Sequence, residues 1–448
     1  MHRYVPFAFS PGEPFRCPKC GNLHSIATRA IETRSEMLDS LDEVLKKEGL
    51  MPEGEILVIA DDCTWEAAGN KVYKNLLKKR QVSSCILSPE DGPLYAEELW
   101  FPVLREKAEK KSLLVSVGSG TITDLVKWAG HDQSIPVVAV PTAPSMNAYT
   151  SAILALFAGG VKKTATVLPP AGVFADSEVL AESPVEMIRA GFADSLAKSF
   201  ANADWKMASV LLGEPYCPLP LEIVGIAEQL PLIPELLAKR DLSSIESLMK
   251  RLHLGGISMQ VAGSSSPASG GEHLISHFLD MFAYETDRPV FALHGLQVGI
   301  GLLFSAFLYE KVRMLCGQSL DPKVYSSNIS DALSTLTKIF PSAKEDLLKE
   351  CKKKEILISS MEEVLEKKFS LLEESVLQNV PSFAESKDLL QRAGCPVSFK
   401  GIGVDREGAV TALIHSRFIR ARLTILDLAA GLGCLEEAAY EFLGGTDE

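Results

Sequence analysis

The chain has 448 residues, 46% of them hydrophobic, enough for one large or two ordinary cores. Asp and Glu outnumber Lys and Arg by 58 to 45, a net charge of -13 that argues against nucleic acid or an anionic membrane as partner while allowing a local basic pocket for a small phosphate. No segment approaches the roughly 20 uninterrupted apolar residues of a membrane span, and "MHRYVPFAFSPGEPF" lacks a basic-then-apolar leader, so no membrane insertion and a cytoplasmic location are expected.

The first motif is "RCPKCGNLH", with Cys17, Cys20 and His24. It imitates half a zinc ribbon, but no second C-x-x-C follows at the usual distance, so the spacing reads as an ordered turn before the first strand. The remaining cysteines are scattered, and the odd total of nine suits reduced thiols in a cytosolic enzyme.

From Glu55 to about Asp176, β-rich runs alternate with helix-like patterns. "EILVIA" precedes the helical "DDCTWEAAGNKVYKNLLKK", and "SSCILS" precedes the amphipathic "AEELWFPVLREKAEK". "SLLVSV", "IPVVAV" and "GVFAD" are continuous and branched, as strands buried on both faces are. Such alternation predicts a parallel sheet wrapped by helices, an α/β Rossmann-like domain over 1–183. After Ser183 the pattern turns helical, beginning with "PVEMIRAGFADSLAKSFANADWKMASVLL", and an all-helical domain is predicted over 184–448. Within it, "KEDLLKECKKKEILISSMEEVLEKKFSLLEESVLQ" lacks a sustained heptad and reads as a surface helical hairpin. A cleft between the two domains is where a ligand is expected.

Three stretches carry candidate chemistry. In "VSVGSGTITDLVKWAG" a buried strand ends in Gly118, Ser119 and Gly120 and runs into a helix opening with Thr121 and Ile122. Glycines admit a pyrophosphate to the backbone and a helix N-terminus offers N–H groups, although a plain tight strand–helix turn has the same spelling. In "VPTAPSMNAYTS", Thr142, Ala143, Pro144, Ser145, Asn147 and Ser151 lie at the end of another strand, where open α/β sheets bind ligands. Finally, Asp194, His273, His277 and His294 supply a carboxylate and imidazoles suited to a borderline divalent ion. His273 and His277 are one helical turn apart; His253 and His415 read as core residues.

Together, "GSGTITD", "PTAPSMNAYTS", "AGFADSLAK…ADW", "SSSPASGGEHLISHF" and "LHGLQVGIG", in this order, resemble the sn-glycerol-1-phosphate dehydrogenase family. That family lies within the superfamily of iron-containing alcohol dehydrogenases, glycerol dehydrogenases and dehydroquinate synthases. "CPKCGNLH" and "IRARLTILDLA" are similar to its bacterial members. The resemblance implies a dehydroquinate synthase-like fold, a homodimer, and interconversion of dihydroxyacetone phosphate and sn-glycerol 1-phosphate with NAD or NADP. It implies one divalent ion, zinc, nickel or iron, held by Asp194, His273 and His294. It also implies that His277 faces the substrate and that Gly118 to Ile122, Thr142 to Ser145, Ser151 and Asp61 hold the dinucleotide, Asp61 (or Asp62) at the ribose. The ion would polarise the ketone, with His277 or a water supplying the proton.

The chain departs from the family at Asn147-Ala148 where Asp-Gly is usual, at Leu296 for glutamate and at Ala193 for glycine. The expected catalytic set is therefore His277, Asn147 and Asp194, and another polyol or polyol phosphate stays open as substrate. A dehydroquinate synthase-like lyase is the other alternative, against which stands the lack of its lysine-bearing glycine motif.

Overall fold

The computed structural model describes residues 10–90, 92–158, 161–315, 328–359 and 361–446; Cys316 lies outside them. Near the start, Phe15–Arg16 (β1) pairs antiparallel with Leu23–His24 (β2). Next come Ala30–Arg34 (β3), Ile56–Asp61 (β4), Val82–Leu87 (β5), Leu113–Gly118 (β6), Val137–Pro141 (β7), Ile153–Ala158 (β8), Val161–Thr166 (β9) and Gly172–Asp176 (β10). β8 and β9 form a separate two-stranded sheet. The other six make one parallel sheet in the order β3-β10-β7-β6-β4-β5.

The central strands are apolar throughout because both faces are covered. Ile56, Val58 and Ala60 share a core with Leu41 and Leu45 of Leu41–Lys47 (α1) and Val72 and Leu76 of Asn70–Leu77 (α2). Leu57 and Ile59, pointing the other way, pack with Leu104 of Phe101–Ala108 (α3) and with Ile122, Leu125 and Ala129 of Gly120–Gln133 (α4). Alternation of period two thus serves two cores. The helix read over "DDCTWEAAGNKVYKNLLKK" is not uniform: Asp62–Thr64 leads into a π turn, Trp65–Gly69, before α2. A Cβ at Gly69 would stand 2.8 Å from the Trp65 ring, so glycine lets the indole lie over this turn.

The helical part begins with Val185–Leu196 (α5) and Lys198–Leu212 (α6), one predicted helix broken at Ala197. Leu219–Glu228 (α7), Leu242–Ala262 (α8), Gly271–Glu285 (α9) and His294–Met314 (α10) follow. The expected surface hairpin is present as Lys344–Ser359 (α11) and Met361–Ser375 (α12), and Ile425–Gly431 (α13) lies near the end.

Two compact units result, and they do not part at a single boundary at 183/184. The first contains the sheet and also residues 163–195 and 218–265; the second contains 196–217 and the chain from 266. The reason is packing: α8 lies against β3 and against the turn Ala148–Thr150, so this helix belongs with the sheet. Among the described residues no cysteine is in a disulfide, and no helix is long and apolar enough to cross a membrane.

Candidate active site

In the first unit the chain runs from β4 to β5 on one side, then returns to β6 on the other side of β4. The sheet order reverses there, and the carboxyl ends of β4 and β6 flank the crevice that such a reversal opens. The register pairs Ile59 with Ser116, which brings Asp61 level with Gly118, and Gly118 pairs with Pro141. The three stretches read as a dinucleotide site, Asp61, Gly118 to Ile122 and Thr142 to Ser145, therefore end along one edge. The fourteen-residue α4 presents its N-terminus there, behind Ser119.

Side chains at this edge divide into those spent on the fold and those available. Asp61 caps the next helix by accepting the Thr64 N–H at 2.7 Å. The loop after β7 is anchored by Lys127, a fully buried lysine of α4 that sequence reading missed. Its Nζ pairs with Asp124 at 2.7 Å and donates to the carbonyls of Ala148, Ser151 and Ile153. Ser151 accepts the Ile153 N–H at 2.9 Å and Ser145 meets the Tyr149 hydroxyl at 3.3 Å, so both hydroxyls already shape the loop. Burial raises the Tyr149 phenol above its ordinary pKa, and its hydroxyl donates to Ala143 O at 2.6 Å. Asn147 differs: it precedes the turn Ala148–Thr150 without capping it, and its side chain is half-buried.

Gly191 carries α5 against this loop, since a Cβ there would lie 1.7 Å from Pro144 O. One turn on, Asp194 is buried on the same helix, which continues to Leu196 in the second unit. One ligand atom each from Asp194, His273 and His294 lies within 4.8 Å of the others.

In the second unit two of the imidazoles are oriented through their Nδ1 atoms. Glu272 Oε1 is 2.7 Å from His273 Nδ1. A carboxylate accepts, so the proton sits on Nδ1 and Nε2 is the nitrogen that would ligate an ion. Gln297 Nε2 donates to Ala292 O at 3.0 Å, which turns its Oε1 to accept from Ser276 Oγ at 2.9 Å. Ser276 Oγ then has a lone pair for His294 Nδ1–H, also at 2.9 Å, so Nε2 is the His294 nitrogen that would meet an ion. Gly301 makes this packing possible, because a Cβ would meet Glu272 O at 2.5 Å where α10 crosses α9. The donor set, two oriented imidazoles and a buried carboxylate, fits a divalent ion.

Asp204, another residue missed from sequence, fixes the start of α9. It accepts the Gly271 N–H at 2.8 Å, the Tyr309 hydroxyl at 2.7 Å and the Ile425 N–H at 2.9 Å. Burial, and then Glu272 nearby, push its carboxyl up to about 7. His277 stands outside the ligand group, with ring centroids 6.2 Å from His273 and 5.6 Å from His294. It is buried and its Nδ1 has no hydrogen-bond partner among the described residues. Burial first, then Arg420 and Lys162, hold its pKa well below 6.5, so the ring is neutral. Arg420 itself is lowered to about 10, first by burial and then by Arg422. Its Nη2 donates to Lys162 O at 3.4 Å, while the Lys162 ammonium pairs with Asp280. His253 is buried, as expected of a core residue, while His415 is only half-buried, and burial lowers the pKa of both.

The sequence model of the iron-containing alcohol dehydrogenases matches residues 32–184. Among solved structures, a probable glycerol dehydrogenase from Sinorhizobium meliloti 1021 superposes with a TM-score of 0.62 at 15% identity, covering 94% of this chain and 98% of that one. A parallel sheet with this switch point, followed by a large helical part, is thus the fold shared with that glycerol dehydrogenase. A glycerol-1-phosphate dehydrogenase of Bacillus licheniformis is 31% identical over 383 residues, 84% of this chain and 83% of the relative. The Bacillus subtilis enzyme of that name is 29% identical over 404 residues, 89% and 90% of the two chains. The chain belongs to the glycerol-1-phosphate dehydrogenase family. It is an oxidoreductase, with NAD(P) and a divalent metal ion as cofactors.

Proposed function

We propose that the protein reduces dihydroxyacetone phosphate to sn-glycerol 1-phosphate with NADH or NADPH, and catalyses the reverse oxidation. The observation that carries this reading is the Asp194, His273 and His294 group with both imidazole Nδ1 atoms already committed. Those three residues would hold the ion, which when bound acts as a Lewis acid on the substrate's carbonyl oxygen. Zinc suits the donors, and nickel or iron would polarise equally well. The nicotinamide supplies the hydride.

The chain's own residues do the rest. The α4 N-terminus and the Thr142 to Ser145 backbone would hold the pyrophosphate, with Asp61 at the ribose through the carboxylate oxygen that its cap leaves over. Neutral His277 has one lone-pair nitrogen to take the hydroxyl proton during alcohol oxidation, and it returns that proton in the reduction. Arg420 would suit a phosphorylated substrate: desolvation holds its pKa at about 10 despite the Glu350 carboxylate nearby, and a phosphate would offset that cost further. Asn147, with no cap to make, would bind a substrate hydroxyl. Its neutral amide favours a second reading, in which a related polyol phosphate is the preferred substrate.

The test follows absorbance at 340 nm while metal-loaded protein and NADH or NADPH meet dihydroxyacetone phosphate, dihydroxyacetone or a dehydroquinate precursor. Cofactor oxidation with the phosphorylated ketone is expected. No cofactor oxidation with the phosphorylated ketone, together with phosphate release from the dehydroquinate precursor, would overturn the assignment.

A further inference from the structure

The N-terminal hairpin holds chemistry that the dehydrogenase reaction does not use. β1 and β2 have two residues each, too few to persist as an isolated pair in water. Between them, Cys17-Pro18-Lys19-Cys20-Gly21 makes a tight turn. The Gly21 N–H reaches Cys17 O at 3.0 Å, with Gly21 at φ +75°, and the Cys17 N–H reaches Asn22 O at 2.8 Å. The Lys19 N–H points at Cys17 Sγ, 3.4 Å away, as an amide does toward a sulfur that carries negative charge. Cys20 Sγ is 3.2 Å from His24 Nε2.

The missing ligand comes from far along the chain. Cys217 is buried and precedes Pro218 and α7, and one ligand atom each from Cys17, Cys20, His24 and Cys217 lies within 4.8 Å of all the others. Two anchors place it. Glu222, in the first turn of α7, pairs with Lys19 of the hairpin turn at 2.8 Å. On the other side, Trp205 Nε1 donates to Pro215 O at 3.0 Å and the indole lies edge-on to Tyr216 at 4.8 Å. "RCPKCGNLH" does form a turn, and the fold adds to it one further cysteine, from a segment with no motif of its own.

We propose that Cys17, Cys20, His24 and Cys217 form a closed structural zinc site that fastens the hairpin to the start of α7. Three thiolates and an imidazole are a soft tetrahedral set, which selects zinc over magnesium or calcium. A tetrahedron with zinc–sulfur bonds of about 2.3 Å has edges of about 3.8 Å, inside the observed spread. Four protein ligands leave no open position, so the ion would hold structure and take no part in catalysis. Binding releases the thiol protons to solvent and changes no oxidation state.

Metal content of the full-length protein, purified under reducing conditions and supplied with zinc, tests this. About two ions per chain are expected in the wild type. Cys217→Ser should lose one and His294→Ala should lose the other, so failure here is distinguishable from failure of the catalytic assignment. Zinc-edge X-ray absorption of the His294→Ala protein should show three sulfurs and one nitrogen around the remaining ion, which protects the test against misfolding of the cysteine variant. Equal metal content in wild type and Cys217→Ser, a sulfur-free shell, or a Cys17–Cys20 disulfide in place of metal would each overturn the proposal.

Discussion

Glu272 Oε1 lies 2.7 Å from His273 Nδ1 and accepts the Gly270 N–H at the same distance. One carboxylate thus orients a ligand ring and ties down the chain entering the helix that bears it. Glu272→Gln keeps the shape and an acceptor but removes the charge that raises the ring's basicity. Metal affinity should fall about 10- to 100-fold, the usual loss when such a partner is changed. Chelator competition measures it. An unchanged dissociation constant would reduce Glu272 to a helix cap.

His277→Ala should retain its catalytic metal and lose about 10²- to 10⁴-fold in turnover, the range for a positioned proton-transfer group. The ligand group is complete without this ring, and metal analysis beside steady-state kinetics separates the two roles. Full activity would mean that His277 merely packs.

Arg420→Gln should discriminate between substrates. The residue is half-buried, and a charge-assisted hydrogen bond to a phosphate contributes about 1.5–3 kcal/mol. The expectation is a loss of about 10- to 100-fold in kcat/KM for dihydroxyacetone phosphate and little change for dihydroxyacetone. Equal losses for both ketones would place Arg420 in the fold and not at the phosphate.

The part of this architecture that was legible in the sequence follows burial. β4, β6, β7 and β10 are apolar on both faces and announce themselves, whereas β3, "AIETR", is an edge strand with half-exposed residues and gave no run to recognise. His273 and His277 were legible by helical spacing. The groups that orient the site were not: Glu272, Ser276 and Gln297 work through contacts that only the approach of α9 and α10 creates. Lys127 looks like a solvated helix residue until three carbonyls and Asp124 converge on it. Cys217 carries no local spacing at all, so its partnership with the hairpin is purely tertiary.

His253 predicts a pH dependence. Burial first, and Lys250 second, lower its pKa from 6.5 to about 3. The unfolded chain binds the proton more readily in this window, so stability is full above pH 6.5 and is lost as pH falls toward 3. Asp204, raised from 3.8 to about 7, has the opposite slope: its contribution is present below pH 3.8 and is lost as pH rises through 7. The informative quantity is therefore the difference between variant and wild type. His253→Gln should show a smaller fall in Tm between pH 6.5 and 4 than the wild type does. Parallel curves would mean that His253 takes up its proton in the folded state.

The last prediction concerns Asn147, where the family usually has aspartate. Lys127 anchors the backbone around it through Ala148 O, and Gly256 of α8 admits its carbonyl, since a Cβ there would lie 2.7 Å from Asn147 O. The residue is thus held while its side chain caps nothing, as suits a group that meets substrate. A carboxylate accepts a substrate hydroxyl about twice as strongly as an amide does. Asn147→Asp should therefore raise kcat/KM for dihydroxyacetone phosphate by about tenfold, equivalent to about 1.4 kcal/mol of transition-state binding. The added charge also repels the substrate's phosphate, an opposing effect that salt screens. Steady-state kinetics at two ionic strengths separate the two, because repulsion weakens with salt while a short hydrogen bond does not. A loss of activity at both would show that the amide is fitted to a different polyol phosphate, and a substrate survey of the wild type should then find one turned over faster than dihydroxyacetone phosphate.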